Sequence, residues 1–204
     1  MAKRSFQLTG QKLLIVEGID DERFFRALLR HLKLSGIQIW AAGGKTRFRP
    51  NLRNLVIMPH FAALTSLGIV RDADQSAQNT ARSIQDALRA AGLPVPAQVI
   101  KPSGTHPQVS MFLMPGGGQP GTLEDLCLNS VAGTPTMSCV DQYFDCLKAS
   151  GRIIPPLQQS KAKIQAYLAG QPKPGRRLGE AAQAGNWPWD NPAFDDVKQF
   201  LSLL

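Results

Sequence analysis

The sequence predicts an α/β protein with a Rossmann-like central parallel sheet of about four strands, flanked by helices. Short apolar runs alternate along the chain with segments that have the apolar spacing of helices, and this alternation is typical of parallel sheets covered on both faces. Two of the apolar runs, at 13–16 and 67–70, end abruptly in carboxylates. Open α/β sheets bind ligands just beyond the carboxyl ends of their strands, so function is expected at these two ends.

The first half of the chain is expected to hold three strands, each followed by a helix. Apolar residues between Phe24 and Leu32 recur at helical spacing, with Arg and Lys on the opposite side, which predicts an amphipathic helix. The predicted elements are a strand at 12–17, a helix at about 20–34 capped by Asp20 or Asp21, a strand at 37–42, a helix from Asn51 to about 66, a strand at 67–71 and a helix at 78–91.

The second half is expected to hold one more strand and then only helices. An apolar run at 111–114 predicts a buried strand, and the segment 94–107 is expected to be a loop with at most a short strand near Val99. The predicted elements are a strand at 108–114, a short helix capped by Thr122, and helices at about 134–150, 158–168, 176–184 and 192–203. We therefore expect an α/β core at 1–132 and a helical C-terminal extension at 133–204 packed on it.

Composition is that of a globular protein. The chain has 204 residues, of which 43% are hydrophobic and 19% charged, enough to form a core and too apolar for global disorder. No apolar stretch is long enough to span a bilayer, and the basic segment 1–5 is not followed by the apolar core of a signal peptide. A cytoplasmic protein without membrane association is expected.

Positive charge is concentrated near the N-terminus. The net charge is +8, and residues 1–53 hold 11 Lys and Arg against 4 Asp and Glu. This asymmetry favours an anionic partner, with nucleic acid first. A basic surface that serves only solubility is the alternative.

Three carboxylates are expected to meet at the edge of the sheet. Glu17 follows the first strand directly, and Asp72 and Asp74 follow the third. On an extended backbone, residues two apart point to the same side. Carboxylates crowded together repel unless a cation lies between them, and hard oxygen ligands favour Mg²⁺ or Mn²⁺.

Four further residues are candidates for the same site. Asp21, Glu124 and Asp125 lie at predicted helix starts, where they either face the metal or serve only as capping acids. Lys45 follows Gly43-Gly44 and is placed to meet a phosphate. The glycine spacing does not match a P-loop, and a solvated loop is the alternative for this segment.

These motifs resemble the Toprim domain of primases, topoisomerases and OLD-type nucleases, in which one strand ends in Val-Glu-Gly and a later one in Asp-x-Asp. The segments 16–21, 43–45 and 121–125 are similar still more closely to small uncharacterised bacterial Toprim-like proteins of the DUF3226 kind. The resemblance covers most of the chain. It implies that Glu17 is a metal ligand or an acid/base group and that Asp72 and Asp74 are metal ligands.

The resemblance implies Mg²⁺-dependent, nuclease-like phosphodiester chemistry on nucleic acid. Glu17 and Lys45 are then the candidate catalytic residues. Two alternatives stay open: a non-catalytic module that binds nucleic acid or a nucleotide through its metal, and metal-dependent chemistry on nucleotides or other small phosphates. The sequence does not predict an oligomeric state.

Overall fold

The computed structural model describes residues 6–204 and contains a four-stranded, all-parallel sheet with the order β2-β1-β3-β4. Helices cover both faces, so the predicted fold class is confirmed. The strands are β1 (Lys12–Val16), β2 (Ile37–Ala41), β3 (Ser66–Asp72) and β4 (Gln108–Met114). The α-helices of the described part are α1 (Ile19–His31), α2 (Lys45–Leu55), α3 (Ala77–Ala90), α4 (Leu123–Val131), α5 (Pro135–Ala149), α6 (Pro156–Ala169), α7 (Leu178–Gln183) and α8 (Asp195–Ser202).

The strand order reverses between β1 and β3. The chain moves from β1 outward to β2 and then crosses back to β3 on the other side of β1. Right-handed crossovers therefore place α1 and α2 on opposite faces, and the strand ends of β1 and β3 border a crevice. Ile15 pairs with Ile69 in register, so Glu17 and Asp72 leave adjacent strands at nearly the same height.

Alternation along the strands divides the apolar residues between two cores. Leu14 and Val16 of β1 face a core that includes α1 and the C-terminal helices. Leu13 and Ile15 face a second core that includes α2 and α3. The period-two alternation of strands produces this division, and it leaves only the strand ends free for polar chemistry.

The last third of the chain completes the first core. Phe200 of α8 packs on Phe112 of β4 at a ring distance of 5.6 Å, and Trp189 packs on Phe24 of α1 at 5.2 Å. A Cβ added to Gly68 in the middle of β3 would lie 2.9 Å from the Leu204 side chain, so Gly68 makes room for the final residue. Residues on both sides of position 132 share this core, and the division proposed there stays a prediction.

The predicted helix from Asn51 to about 66 is wrong. The segment 45–55 is helical, and it includes Asn51, whose side-chain amide donates to the Ala42 carbonyl at 2.7 Å. Pro50 lies inside this helix and removes one hydrogen bond, but Phe48, Leu52 and Leu55 are buried against the second core. Burial of these three side chains stabilises the helix by more than the proline destabilises it. The sequence pattern alone overstated the destabilising effect of Pro50.

The segment 94–107 contains no strand. Instead, the backbone N–H groups of Ile100 and Ser103 donate to Met111 and Val109 at 2.8 Å, so the segment runs beside β4 with only isolated bonds. No helix within 6–204 combines the length and apolar character needed to cross a membrane. Lys3 and Arg4 of the basic N-terminal quarter lie outside the described residues.

Candidate functional site

Four carboxylates act on one another electrostatically at the crevice between β1 and β3. Glu17 follows β1, Asp72 ends β3, Asp21 lies in the first turn of α1 and Glu124 in the first turn of α4. Charges on Glu17, Asp21 and Glu124 each raise the pKa of Asp72. The structure therefore brings four of the six predicted metal ligands into one acidic centre, which consists of Glu17, Asp21, Asp72 and Glu124.

The environment of Asp72 disfavours the charged form of its carboxylate. Burial, and then the neighbouring charges of Glu17, Asp21 and Glu124, raise the pKa of Asp72 to about 8. The N–H of Leu123 donates to its Oδ1 at 3.0 Å and opposes this shift. No Lys, Arg or His pairs with Asp72 in the described part of the chain, so its charge lacks a cationic partner.

Asp21 both caps a helix and belongs to the centre. Its Oδ2 accepts a hydrogen bond from the Gly18 N–H at 2.9 Å, which holds the start of α1 as a capping acid would. Burial, with the charges of Glu17 and Glu124, nevertheless raises the pKa of Asp21 to about 6. Asp21 therefore caps α1 and also lies within the electrostatic influence of Glu17 and Glu124; its role as a metal ligand stays a prediction.

Glu17 is paired with a buried arginine that sequence reasoning missed. Nε of Arg71 donates to Oε1 of Glu17 at 3.1 Å, with only 7% and 14% of the two side chains exposed. The guanidinium also lies 5.3 Å from the ring centre of Phe48. A charged residue inside an otherwise apolar strand was the available signal, because a buried charge requires a partner.

The backbone at Asp74 is not extended, as the spacing argument assumed. Its φ is +53°, in the left-handed region, and its N–H and carbonyl bond to Gly121 at 2.8 and 2.7 Å. This turn directs the carboxylate of Asp74 to Nζ of Lys45. The argument from spacing is therefore wrong, since the strand ends at Asp72.

The two acidic residues at the start of α4 have different partners. Asp125 accepts hydrogen bonds from the N–H and Oγ1 of Thr122, at 2.8 and 3.0 Å, and from Ser160 Oγ. These contacts favour the capping alternative for Asp125. Glu124 has no ion pair among residues 6–204 and lines two cavities. Thr122 caps α4 as predicted.

A cavity of about 920 Å³ opens beside the acidic centre. Asp72, Asp74 and Glu124 lie on its wall, and Ser160 and Lys161 of α6 close the opposite side. Neither residue of α6 was singled out from the sequence, because the contact joins positions far apart in the chain. The cavity is large enough to admit part of a substrate next to the carboxylates.

The oxygen donors of the centre are those of a hard cation. Burial and the neighbouring carboxylates raise the pKa of Asp72 and of Asp21, so their charged forms are costly without a positive charge nearby. Oxygen-rich sites of this kind suit Mg²⁺ or Mn²⁺. Among the described residues, no group of three or more His, Cys, Asp or Glu side chains is arranged to hold a metal ion. A bound ion would therefore require side-chain adjustment.

Solved structures share the fold at low sequence identity. The C-terminal region of the Burkholderia pseudomallei OLD protein has a TM-score of 0.56 at 13% identity, covering 95% of this chain and 97% of that one. The corresponding region of the Xanthomonas campestris pv. campestris OLD protein gives 0.52 at 15%, covering 96% and 94%. A hypothetical protein from Pyrococcus horikoshii OT3 gives 0.53 at 18%, covering 94% of each chain.

A family model supplies the assignment that these distant structures do not. No curated protein matches the chain. The model described as "Protein of unknown function (DUF3226)" matches residues 11–204, which include β1, β3 and the whole acidic centre. The chain belongs to the DUF3226 family.

Proposed function

We propose that the protein carries out Mg²⁺- or Mn²⁺-dependent phosphodiester chemistry on nucleic acid at a Toprim-type acidic centre. The observation that carries this proposal is the convergence of Glu17, Asp21, Asp72 and Glu124 at the crevice, where Asp72 has no cationic partner among residues 6–204. A divalent cation bound there would neutralise the carboxylates, activate water and stabilise charge on the phosphate in the transition state.

The chain's own residues have distinct roles in this proposal. Asp72, Asp21 and Glu124 hold the cation, and the Leu123 N–H fixes one oxygen of Asp72. Oε1 of Glu17 is engaged by Arg71, so we assign proton transfer to Oε2. Lys45, which pairs with Asp74 on the cavity wall, offsets negative charge on the substrate phosphate.

Two observations support nucleic acid as the substrate. The exposed residues Lys45, Arg47 and Arg49 extend a basic surface along α2 beside the centre, as polyanion binding requires. The similarity to OLD protein C-terminal regions is consistent with such a role. In sites that handle phosphates, Mg²⁺ is commonly bound by one or two carboxylates together with the substrate's phosphates.

A cleavage assay tests the proposal directly. Plasmid DNA, single-stranded DNA and RNA are incubated with the protein in Mg²⁺, Mn²⁺ or EDTA. We expect cleavage of at least one substrate with metal, none with EDTA, and a loss of about 100-fold or more in Asp72→Asn.

The matched control is Asp195→Asn. Asp195 is an exposed carboxylate on α8 that pairs with Lys198, so the same chemical change is made outside the centre and outside the cavities beside it. Cleavage that survives in Asp72→Asn, or falls equally in both variants, would sink the proposal.

A non-catalytic, metal-dependent binding module is the second candidate. The Glu17–Arg71 ion pair favours it, because it holds one carboxylate oxygen of the candidate catalytic residue against a buried guanidinium. Metal and nucleic-acid binding by the wild-type protein, without cleavage of any of the three substrates, would select this candidate.

A further inference from the structure

The acidic centre lies between two separate basic surfaces. One borders a cavity of about 330 Å³ between α2 and α3, where Lys45, Arg49 and Arg82 are exposed. The other borders a cavity of about 630 Å³ between α6 and α7, where Lys161, Arg176 and Arg177 line the wall. We call these the α2–α3 arm and the α6–α7 arm.

The two arms connect through the central cavity. Asn79 lines both the α2–α3 cavity and the central one. Glu124 and Lys161 line both the central cavity and the α6–α7 cavity. Shared walls make the three cavities neighbours, in the order α2–α3 arm, acidic centre, α6–α7 arm.

Both arms contain cationic side chains that form no ion pair among the described residues. Within residues 6–204, Arg49, Arg82 and Lys161 form no ion pair with a carboxylate, whereas Lys45 is occupied by Asp74. Exposed and unpaired cations on both sides of a row of carboxylates would attract phosphates that flank the centre. A small phosphate ligand would need only one such group.

We propose that the substrate is a nucleic-acid strand that continues through the centre, with phosphates held by the α2–α3 arm on one side and the α6–α7 arm on the other. The inference rests on the proposed function and makes it more specific: the protein acts within a strand and not on a mononucleotide. The α6–α7 arm is the new element, since it comes from the last third of the chain.

Binding is measured apart from cleavage. Fluorescence anisotropy is recorded in EDTA with the Asp72→Asn background, using labelled single strands of about 4 to about 16 nucleotides, the range of site sizes found for single-strand binders. The arm variants are Arg49→Ala with Arg82→Ala, and Lys161→Ala with Arg177→Ala. All four residues are exposed, and an unchanged melting temperature verifies folding.

The expected result depends on strand length. A long strand touches both arms, so each double variant weakens its binding about tenfold and flattens the salt dependence. The shortest strand reaches one arm only and can use the intact one, so either variant costs it about twofold at most. The control, Arg30→Ala with Lys148→Ala, removes the same charge from exposed positions of α1 and α5 and changes affinity less than twofold.

Three outcomes would overturn the inference: dependence on a single arm at every length, mononucleotides that bind as tightly as the longest strand, or a control that loses as much as the arm variants. Failure of the proposed function would look different. A wild-type protein that never cleaves but shows the two-arm length dependence keeps the inference and loses the chemistry.

Discussion

Glu17 and Asp72 end adjacent strands of the sheet, yet their charges are balanced in opposite ways. Glu17 has a buried guanidinium 3.1 Å away. Asp72 has an amide N–H and three neighbouring carboxylates, and its pKa rises to about 8. On the β1 side, the protein itself balances the negative charge of the acidic centre with Arg71. On the β3 side, balancing the charge of Asp72 requires a proton or an added cation.

Neutralising Glu17 should have the largest effect on stability. Glu17→Gln leaves the Arg71 charge buried without its partner, and we expect the free energy of unfolding to fall by about 3 kcal/mol, a typical cost of breaking a buried pair. Urea unfolding monitored by Trp fluorescence measures it. An unchanged urea midpoint would mean that Arg71 finds another acceptor in Glu17→Gln. The contrast between a paired Glu17 and an unpaired Asp72 would then no longer hold.

Metal addition should stabilise the protein through Asp72. At a Mg²⁺ or Mn²⁺ concentration about 100 times the dissociation constant, folding gains about 2.7 kcal/mol, and the melting temperature rises. Asp72→Asn should abolish this rise, while Asp195→Asn keeps it. A variant that retains the wild-type response would remove Asp72 from the ligand set.

The stability of the metal-free protein should depend on pH through the same carboxylates. In the folded state the pKa of Asp72 is about 8 and that of Asp21 is about 6, both above the ordinary 3.8. From about pH 4 up to these raised pKa values, the folded state therefore binds more protons than the unfolded state. The free energy of unfolding in EDTA should therefore be highest near pH 4 and fall as pH rises to about 8. The difference between wild type and Asp72→Asn, measured across that window, isolates the contribution of Asp72; parallel curves would contradict it.

Asp125 should show the smallest effect, on stability alone. Asp125→Ala removes the acceptor of the Thr122 N–H and of Ser160, and loss of a helix cap costs about 1 kcal/mol. We expect the metal-induced rise in melting temperature to persist. Loss of that rise would mean that Asp125 acts in the acidic centre together with Glu124, and that the two residues do not differ in role as described above.

The sequence predicted those features that local pattern controls. Apolar runs identified β4 at its observed bounds, and Thr122 was found as a cap because a cap depends on a few neighbouring residues. The convergence of Glu17 with Asp72 followed from a general property of parallel sheets.

The features that were missed depend on tertiary contacts. The turn at Asp74 is set by its bonds to Gly121, and the ion pair of Arg71 joins residues 54 positions apart. Lys161 approaches the centre only because α6 packs on α4. None of these contacts leaves a periodic trace in the sequence.

The packing of Leu204 against Gly68 has a consequence for synthesis of the chain. Every residue of the acidic centre has been made by the time position 124 leaves the ribosome, but the apolar face beneath it still lacks Phe194, Phe200 and Leu201. At elongation rates of about 5–20 residues per second, the nascent chain spends several seconds with that face uncovered. The residues of the centre are therefore made early, whereas the core that supports them is complete only after Phe194, Phe200 and Leu201 have been made.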